Sequence, residues 1–560
     1  MIKDNYEYWV NNEKTDELLV KELKAMNDTQ INDAFYTNIE FGTAGMRGVM
    51  GAGTNKINIH TIRKANYGFV KYIISKGEKA KEQGIAIGYD NRHNSYKFAL
   101  DSARFISGYG VKVYLFKTLA PTPELSFAVR YYGCAGGIMI TASHNTKEYN
   151  GYKIYDETGC QLVPHLASQV VDYVNSVEDL LTLEANPKEE LINYIREEVD
   201  EAYYNEVLKI RLNANVNKDI KVVFSPEHGA SYLAVKETLT RAGYNVIIVE
   251  EQAIFDGDFP NTKTPNPEDE KAYELSLKYA NENEADLILV CDPDGDRMGV
   301  GIKHNNEYVI LNGNQTGALL MEYVFSQMTL QKIMPENPVM FNTVVTSDIG
   351  EAVANHYKVR CEKTLTGFKF IGEKVQEYIQ NGKANYVFGY EESYGSLAKP
   401  FVRDKDATQA CILLAEACAY YKNHNKTLMD IMEEIYQREG YYLDSQTSIV
   451  LPGQQGADKL KEIIISLRNN PLKEVCNRKV VKYQDYGLQI EVCDGKETKL
   501  EGFSKSDVLK YYLDDGSFIA VRPSGTEPKC KIYYSIISKD PTNSKAKLKD
   551  YNEFMLTMMK

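Results

Sequence analysis

The sequence predicts an α/β protein with four consecutive domains that share one cleft. Its 560 residues are too many for a single hydrophobic core, which favours about three to five domains. Four short apolar runs end near residues 140, 290, 390 and 520, and each is followed by a polar loop that contains glycine. Such short runs are typical of buried strands. Helical patterns, such as residues 406–424, lie between them.

The four loops define the expected domain organisation. They lie about 100 to 150 residues apart, roughly one domain each. We expect domain I over residues 1–200, domain II over 201–312, domain III over 313–450 and domain IV over 451–560. Because open α/β sheets bind ligands where their strands end, each domain is expected to contribute its loop to the shared cleft.

Charge and composition argue against several classes of protein. The chain has 65 Lys and Arg against 78 Asp and Glu, a net charge of −13, whereas proteins that bind nucleic acid or anionic membranes are usually basic. The nine cysteines are scattered, and none forms a C-x-x-C pair. The charged N-terminal segment has no apolar signal core, and no run approaches the ~18 apolar residues that span a bilayer. These features predict a cytoplasmic protein.

The loop Asp292–Gly299 ("DPDGDRMG") is the most specific motif. Its three carboxylates, Asp292, Asp294 and Asp296, alternate along the chain and would repel one another unless a hard divalent cation bound them. An EF-hand is excluded, because glycine is the fourth residue of the loop and not the sixth, and Lys303 stands where that motif has glutamate. The compact loop favours Mg²⁺, and a solvated acidic turn is the alternative.

Two other loops suit the binding of a phosphate and of a sugar. The loop "RPSGTEPK" combines a guanidinium with hydroxyls and a glycine that lets backbone N–H groups approach an anion: Arg522, Ser524, Gly525 and Thr526. In "GYEESYG", Glu391 and Ser393 are two residues apart, so on an extended loop they would share a face and could bind neighbouring hydroxyls. A simple turn remains the alternative for each loop.

The serine of "TASHN" is a candidate nucleophile. Adjacent residues on an extended backbone point to opposite sides, so we expect His144 to be poorly placed to take the proton of Ser143. No G-x-S-x-G elbow is present. Beside a metal and a phosphate-binding loop, Ser143 could instead carry a phosphoryl group, since phosphoryl transfer depends mainly on positioning and charge neutralisation.

The motifs "TASHN", "DPDGDR", "GYEESYG" and "RPSGTEP", in this order, make the chain resemble the α-D-phosphohexomutases, in particular the longer bacterial phosphoglucomutases. The resemblance extends from about residue 40 to about residue 545. It implies three related mixed-sheet α/β/α domains and a smaller C-terminal α+β domain around a central cleft. It also implies an isomerase, an intramolecular phosphotransferase that interconverts α-D-glucose 1-phosphate and glucose 6-phosphate.

The resemblance further implies a mechanism. Ser143 would be a phosphoserine whose phosphate completes the Mg²⁺ shell of the three aspartates, and glucose 1,6-bisphosphate would be both intermediate and priming activator. Glu391 and Ser393 would hold sugar hydroxyls, and the Arg522 loop would hold the phosphate that is not transferred. By the same resemblance, Lys153 would be a possible acid/base partner, His144 would contact phosphate without acting as a base, and Arg47 would lie near the phosphoserine. Thr366 and Gly367 would belong to a specificity loop, and Lys405 and Arg297 would contact phosphate.

One departure from the family pattern and several alternatives remain. Thr146 stands where the serine loop often has proline, so the rigidity of that loop is in question. The same chemistry on mannose or pentose phosphates is the main alternative. A D-x-D phosphatase, in which Thr or Val usually stands in place of Asp296, and a binding module without catalysis are the others. We expect a small phosphosugar as the partner, with no nucleic acid and no membrane.

Overall fold

The protein was examined as a computed structural model that describes residues 2–42, 45–451, 453–523 and 529–559. It divides into two compact units. Unit 1 comprises Met1–Thr316 and Phe368–Thr427, and unit 2 comprises Gly317–Gly367 and Leu428–Lys560. Among the described residues, no helix combines the length and the apolar character that crossing a bilayer requires.

Unit 1 begins with three short helices: α1 Ile2–Asn11, α2 Glu17–Ala25 and α3 Asp28–Phe35. Asp16 caps α2 by accepting a hydrogen bond from the Leu18 N–H, and Asn27 forms a capping box with Gln30 at the start of α3. Their apolar sides enclose a small core that includes Trp9, Leu23, Phe35 and Leu181.

The first sheet of unit 1 follows these helices. Its strands are β1 Met46–Val49, β2 Ile85–Tyr89, β3 Val113–Phe116, β4 Gly136–Ile140, β5 Tyr149–Asp156 and β6 Ile192–Ile195. They lie in the order β1-β5-β4-β2-β3-β6, with β5 antiparallel to both of its neighbours and the other pairs parallel. Its helices are α4 Ile59–Ser75, α5 Glu78–Gln83, α6 Ser95–Gly108, α7 Thr122–Tyr131, α8 Pro164–Asn175 and α9 Glu197–Lys209. Every residue of β2 and β4 is buried, as expected for apolar runs covered on both faces.

His60, in α4, connects the N-terminal helices to this sheet. The residue is only 1% exposed, its Nε2 accepts a hydrogen bond from the Asp16 N–H at 3.2 Å, and its ring packs edge-on against Trp9. Its Nδ1 has no hydrogen-bond partner in the part of the chain that the structure describes. Burial lowers the pKa of His60 to about 4, so the histidine is neutral in the folded protein.

We expect the N-terminal helices to be acid-labile through His60. Because its folded pKa of about 4 lies below the usual 6.5, its contribution to stability is complete above pH 6.5 and is lost as the pH falls toward 4. Between about pH 7 and about pH 5, the wild type should lose about 2 kcal/mol more of its unfolding free energy than His60→Gln, which cannot titrate. Urea unfolding of both proteins at the two pH values measures this difference. Equal losses would contradict the assignment.

The second sheet of unit 1 comprises β7 Lys221–Ser225, β8 Asn245–Ile248, β9 Leu287–Cys291, β10 Met298–His304 and β11 Glu307–Leu311, with helices α10 Tyr232–Ala242 and α11 Glu274–Asn283. The strand order is β11-β10-β9-β7-β8. The pairs of β7 are parallel and those of β10 are antiparallel, so this sheet is also mixed. Val223, Ile288 and Val290 pack with Tyr273 in its core.

Residues 313–427 are divided between the units. Their elements are α12 Gly313–Leu330, β12 Pro338–Thr343, α13 Ile349–His356, β13 Arg360–Thr364, α14 Phe368–Asn381, β14 Asn385–Tyr390, β15 Ser396–Leu397 and α15 Ala407–Lys422. In unit 2, β12 and β13 pair in parallel. In unit 1, β15 follows the loop after β14 and pairs with β14 in a short antiparallel ladder.

The C-terminal part of unit 2 is an antiparallel sheet covered by helices. Its elements are α16 Leu428–Glu439, β16 Tyr441–Val450, α17 Gly453–Asn469, β17 Glu474–Val475, β18 Arg478–Asp485, β19 Ile490–Cys493, β20 Lys496–Lys499, β21 Leu509–Leu513, β22 Phe518–Pro523, β23 Lys529–Ser538 and α18 Pro541–Met558. The strand order is β16-β23-β22-β21-β18-β19-β20, and β17 pairs with β18. Side chains of α17 and α18, such as Leu460, Ile464 and Met555, complete its core. The predicted C-terminal α+β domain is confirmed. The four domain ranges stay predictions, and the expected start at residue 451 falls just after β16.

Candidate active site

The candidate nucleophile lies in the loop that follows β4. Ser143 is 3% exposed, and its Oγ donates a hydrogen bond to Asp292 Oδ2 at 3.1 Å and lies 3.2 Å from His144 Nδ1. Its φ of 54° is in the left-handed region, which is unusual for a residue other than glycine. The assumption of an extended backbone was therefore wrong. The left-handed turn brings the His144 ring onto the same side as the Ser143 hydroxyl.

His144 is neutral in this environment. Burial is the main cause that lowers its pKa well below the usual range, and the positive charges of Arg297 and Arg47 lower it further. The imidazole therefore adds no positive charge beside Ser143, but it keeps a ring nitrogen at hydrogen-bond distance from Oγ.

The three aspartates of the loop after β9 converge as predicted. Their carboxylate oxygens lie within 4.8 Å of one another, and all three residues are buried. Asp292 Oδ1 accepts hydrogen bonds from the backbone N–H groups of Asp296 and Arg297, at 3.1 and 3.0 Å. Burial, followed by the charges of Asp294 and Asp296, raises the pKa of Asp292 well above its usual range.

These residues fit a hard divalent cation. Asp294 Oδ1 and Asp296 Oδ1 are buried and have no hydrogen-bond partner among the described residues, so each offers a free oxygen ligand. A loop of three such carboxylates, closed by a turn in which Gly295 has a φ of 67°, leaves no soft ligand in the set.

Two lysines partly neutralise the aspartates. Lys153 Nζ, on β5, lies 2.8 Å from Asp294 Oδ2 and 3.6 Å from Asp296 Oδ2. Lys405 Nζ lies 3.0 Å from Asp296 Oδ2. Burial opposes a charged Asp294, but the Lys153 ammonium holds the pKa of that carboxyl below its usual range. The site therefore combines buried charges of both signs, an arrangement that is weak evidence for stability and marks a candidate functional site.

Two arginines border the site. Arg47 lies on β1, which pairs with β5, and its Nη1 donates to the side-chain oxygen of Asn145 at 2.9 Å. Arg297 forms an ion pair with Glu268 at 2.5 Å and lies 3.8 Å from Asp296 Oδ1.

The loop after β14 is a closed turn. The Glu391 N–H donates to the Gly395 carbonyl at 2.9 Å, and the Tyr394 carbonyl accepts from the Met298 N–H at 3.1 Å. The extended conformation that placed Glu391 and Ser393 on one face was therefore wrong. Glu391 is nevertheless buried in the charged cluster. Burial alone would lower the pKa of Lys405, but Asp296 and neighbouring carboxylates, Glu391 among them, raise it.

The remaining predicted residues lie elsewhere in the chain. Thr366 and Gly367 follow β13, and Arg522 lies near the end of β22, all within unit 2. Ser524, Gly525 and Thr526 lie outside the described residues. The roles of these residues stay predictions.

The structure adds residues that sequence reasoning missed. Thr122, at the start of α7, donates its hydroxyl to Asp294 Oδ2 at 3.0 Å and its N–H to the Asp294 carbonyl at 2.8 Å. A Cβ on Gly229 would lie 2.4 Å from the Pro293 Cα, so glycine allows the chain to pack there against the loop of the three aspartates. The buried guanidinium of Arg92 contacts the serine loop. Arg92 follows the apolar run of β2, so the same pattern of a strand and a polar loop could have identified it.

Comparison with known proteins identifies the family of the chain. Four sequence models of the phosphoglucomutase/phosphomannomutase family match the chain, those of α/β/α domains I, II and III over residues 38–180, 201–305 and 312–439, and that of the C-terminal domain over 476–540. A phosphoglucomutase of Staphylococcus epidermidis is 37% identical over 536 residues, which cover 93% of this chain and 95% of the relative. One of Staphylococcus aureus is 36% identical over 542 residues, 95% of this chain and 96% of the relative.

The fold is also that of solved structures in this family. The crystal structure of a putative phosphomannomutase from Thermus thermophilus has a TM-score of 0.67 and 21% sequence identity, and covers 93% of this chain and 99% of that chain. The sheets, the convergent aspartates and these matches lead to one conclusion. The chain belongs to the phosphoglucomutase/phosphomannomutase family of α-D-phosphohexomutases, and it is an isomerase that acts by phosphoryl transfer.

Proposed function

We propose that this phosphohexomutase interconverts α-D-glucose 1-phosphate and glucose 6-phosphate, with Ser143 as the carrier of the transferred phosphoryl group. The observation that supports it most is the Ser143 hydroxyl, which lies buried at 3.1 Å from one of three convergent aspartates. Glucose is favoured over other sugars because the relatives with 36–37% identity over most of the chain are named phosphoglucomutases. The proposal includes a cytoplasmic location and a phosphosugar as the small-molecule partner.

The proposed reaction has two transfers. In the first, the 6-hydroxyl of glucose 1-phosphate attacks the phosphorus of phosphoserine 143. The bond from phosphorus to Ser143 Oγ breaks, the 6-hydroxyl loses its proton, Ser143 Oγ gains one and glucose 1,6-bisphosphate forms. After the bisphosphate reverses its orientation, the Ser143 hydroxyl loses its proton as Oγ attacks the 1-phosphate, the bond from phosphorus to the 1-oxygen breaks and the 1-oxygen gains a proton. Protons balance over the cycle. Glucose 1,6-bisphosphate is therefore also the proposed priming activator of protein whose Ser143 has lost its phosphate.

Residues of unit 1 position and neutralise the reacting groups. Asp292, Asp294 and Asp296 would hold Mg²⁺ together with the Ser143 phosphate. When bound, the ion would neutralise charge on the phosphoryl oxygens. Lys153 supplies N–H donors and positive charge at the same carboxylates, 2.8 Å from Asp294 Oδ2. His144 keeps its neutral ring beside Ser143 Oγ.

Substrate contacts complete the proposal. Glu391 and Ser393 would bind sugar hydroxyls, and Thr366 with Gly367 would contribute to specificity. Arg47, Arg297 and Lys405 would contact phosphate near Ser143. The distal phosphate would be held by Arg522, Ser524, Gly525 and Thr526, a combination of guanidinium, hydroxyl and backbone donors that suits this anion.

A ³¹P NMR time course tests the proposed function. Separate samples contain glucose 1-phosphate, mannose 1-phosphate or ribose 1-phosphate, each with Mg²⁺ and a trace of glucose 1,6-bisphosphate. We expect the glucose 1-phosphate signal to be replaced by that of glucose 6-phosphate, at a higher rate than the other two sugars react. Preference for mannose or ribose would support phosphomannomutase or phosphopentomutase activity instead. Growth of inorganic phosphate would mean a hydrolase and would reject the proposal.

A further inference from the structure

Arg92 places a complete set of hydrogen-bond donors against the loop that carries Ser143. Its side chain is fully buried, and it follows β2. The guanidinium has five N–H groups, and the structure gives five acceptors. Nε donates to Asp90 Oδ2 at 3.1 Å, Nη1 to the carbonyls of Thr146 and Tyr149 at 2.8 and 3.2 Å, and Nη2 to those of Ser143 and Asn145 at 2.5 and 2.6 Å.

Three of these acceptors belong to the loop of residues 141–148, which connects β4 to β5 and contains no proline that would restrict the backbone. The fourth, the carbonyl of Tyr149, belongs to the first residue of β5. Backbone carbonyls in such a turn need partners when water is excluded from them. Arg92 supplies these partners from a residue that lies more than fifty positions earlier in the chain. The face of the Phe259 ring lies 5.2 Å from the guanidinium carbon and helps to keep the group buried.

Arg92 is itself held in place. Asp90 Oδ1 accepts hydrogen bonds from the Arg92 N–H at 3.0 Å and from the Ser95 hydroxyl at 2.7 Å. On the other side of the nucleophile, the Ser143 N–H donates to the Thr141 hydroxyl at 2.8 Å. Ser143 is therefore fixed through both of its backbone polar groups, in a left-handed conformation that a free serine rarely adopts.

We propose that Arg92 is a positioning residue for the phosphoryl carrier. By binding the carbonyls of Ser143, Asn145 and Thr146 in this loop and that of Tyr149 at the start of β5, it maintains the backbone that directs the Ser143 hydroxyl toward Asp292. This inference rests on the proposed function, in which Ser143 carries the phosphoryl group. All five guanidinium donors of Arg92 are used on protein acceptors, so Arg92 would act on the reaction through the loop, and its loss should lower kcat with little change in KM.

Arginine is specifically suited to this role. Five donors in a planar fork reach five acceptors on two sides of the guanidinium, whereas lysine has three donors on a single atom. Arg92→Lys therefore preserves the positive charge beside Asp90 but leaves loop carbonyls without partners. We expect it to reduce kcat roughly 10²-fold, the scale of a misplacement of about 1 Å, and to change KM by less than about 3-fold.

The experiment compares Arg92→Lys with Arg63→Lys. Arg63 forms a forked ion pair with Asp101 in the same sheet domain, at 2.6 and 2.8 Å, and does not contact the serine loop. The control should keep the kcat and KM of the wild type. In Arg92→Ala, millimolar guanidinium chloride should restore part of the lost kcat, whereas sodium chloride at the same concentration should not. A merely structural role would not produce this rescue.

A second variant covers the possibility that Arg92 variants fold poorly. Asp90→Asn leaves the guanidinium in place but removes the charge that anchors it, and it should lower kcat about 10-fold, again with little change in KM. The inference is overturned if folded Arg92→Lys keeps a kcat near that of the wild type, or if Asp90→Asn is fully active while guanidinium gives no rescue. The wild type is assayed first. If the wild type lacks Ser143 phosphate or mutase turnover, the proposed function is rejected. If it has both, the results with the variants test only the positioning role of Arg92.

Discussion

Ser143→Ala is expected to abolish the mutase reaction, with kcat reduced on the order of 10⁴-fold or more, because in the proposed cycle the transferred phosphoryl group passes through the Ser143 hydroxyl. The Ser143 Oγ donates to Asp292 Oδ2 and lies beside His144 Nδ1, and the variant removes this one oxygen atom from a loop, so the fold should be retained. Turnover measured by ³¹P NMR, and the mass of the intact protein with and without glucose 1,6-bisphosphate, test this result. Near-normal turnover in the variant would reject the phosphoserine scheme.

Ser143→Gly is the matched variant for this experiment. Ser143 has a φ of 54°, which glycine adopts without the steric cost that a Cβ carries. Ser143→Gly should therefore be more stable than Ser143→Ala by about 0.5–1 kcal/mol. Both should be equally inactive. This pattern separates the hydroxyl, which the chemistry needs, from the backbone conformation. Activity in either variant would reject the phosphoserine scheme, because neither has the hydroxyl.

The double variant Asp292→Asn/Asp294→Asn is expected to lose both activity and the response to Mg²⁺. Removing two of the three convergent carboxylates leaves only that of Asp296, and a single carboxylate is too weak a site to hold a hard cation against hydration by water. In the wild type, Mg²⁺ at about 100 times its Kd should stabilise the fold by about 2.7 kcal/mol, visible as a rise in Tm. The double variant should show no such rise.

The control for this experiment is Asp172→Asn, at an exposed aspartate on α8. It should keep the activity, the Mg²⁺ requirement and the thermal shift of the wild type. Metal-dependent activity that survives in the double variant would place the metal at other residues. A thermal shift without activity would mean that the aspartates serve the chemistry but not the binding of the ion.

The features that the sequence determined by itself are local ones. The apolar runs near residues 140, 290, 390 and 520 form β4, β9, β14 and β22. A strand that is buried on both faces needs consecutive apolar residues, so it can be recognised from the sequence alone. The three aspartates could be identified as one site for the same reason: they lie within five residues, so any turn brings them together. The likeness of four such motifs then indicated the family, and the comparisons confirmed it.

Only the tertiary structure decided how these motifs meet. Because Ser143 and His144 are adjacent, an extended backbone would point their side chains to opposite sides. The carbonyls of the serine loop are bound by Arg92, and the left-handed turn at Ser143 places both side chains on the same side. Lys405 reaches Asp296 across more than a hundred residues, and no local pattern encodes that pairing. Burial explains the limit: the conformation of an irregular loop and the charge of its side chains depend on which distant groups exclude water from them, and that is a property of the folded chain.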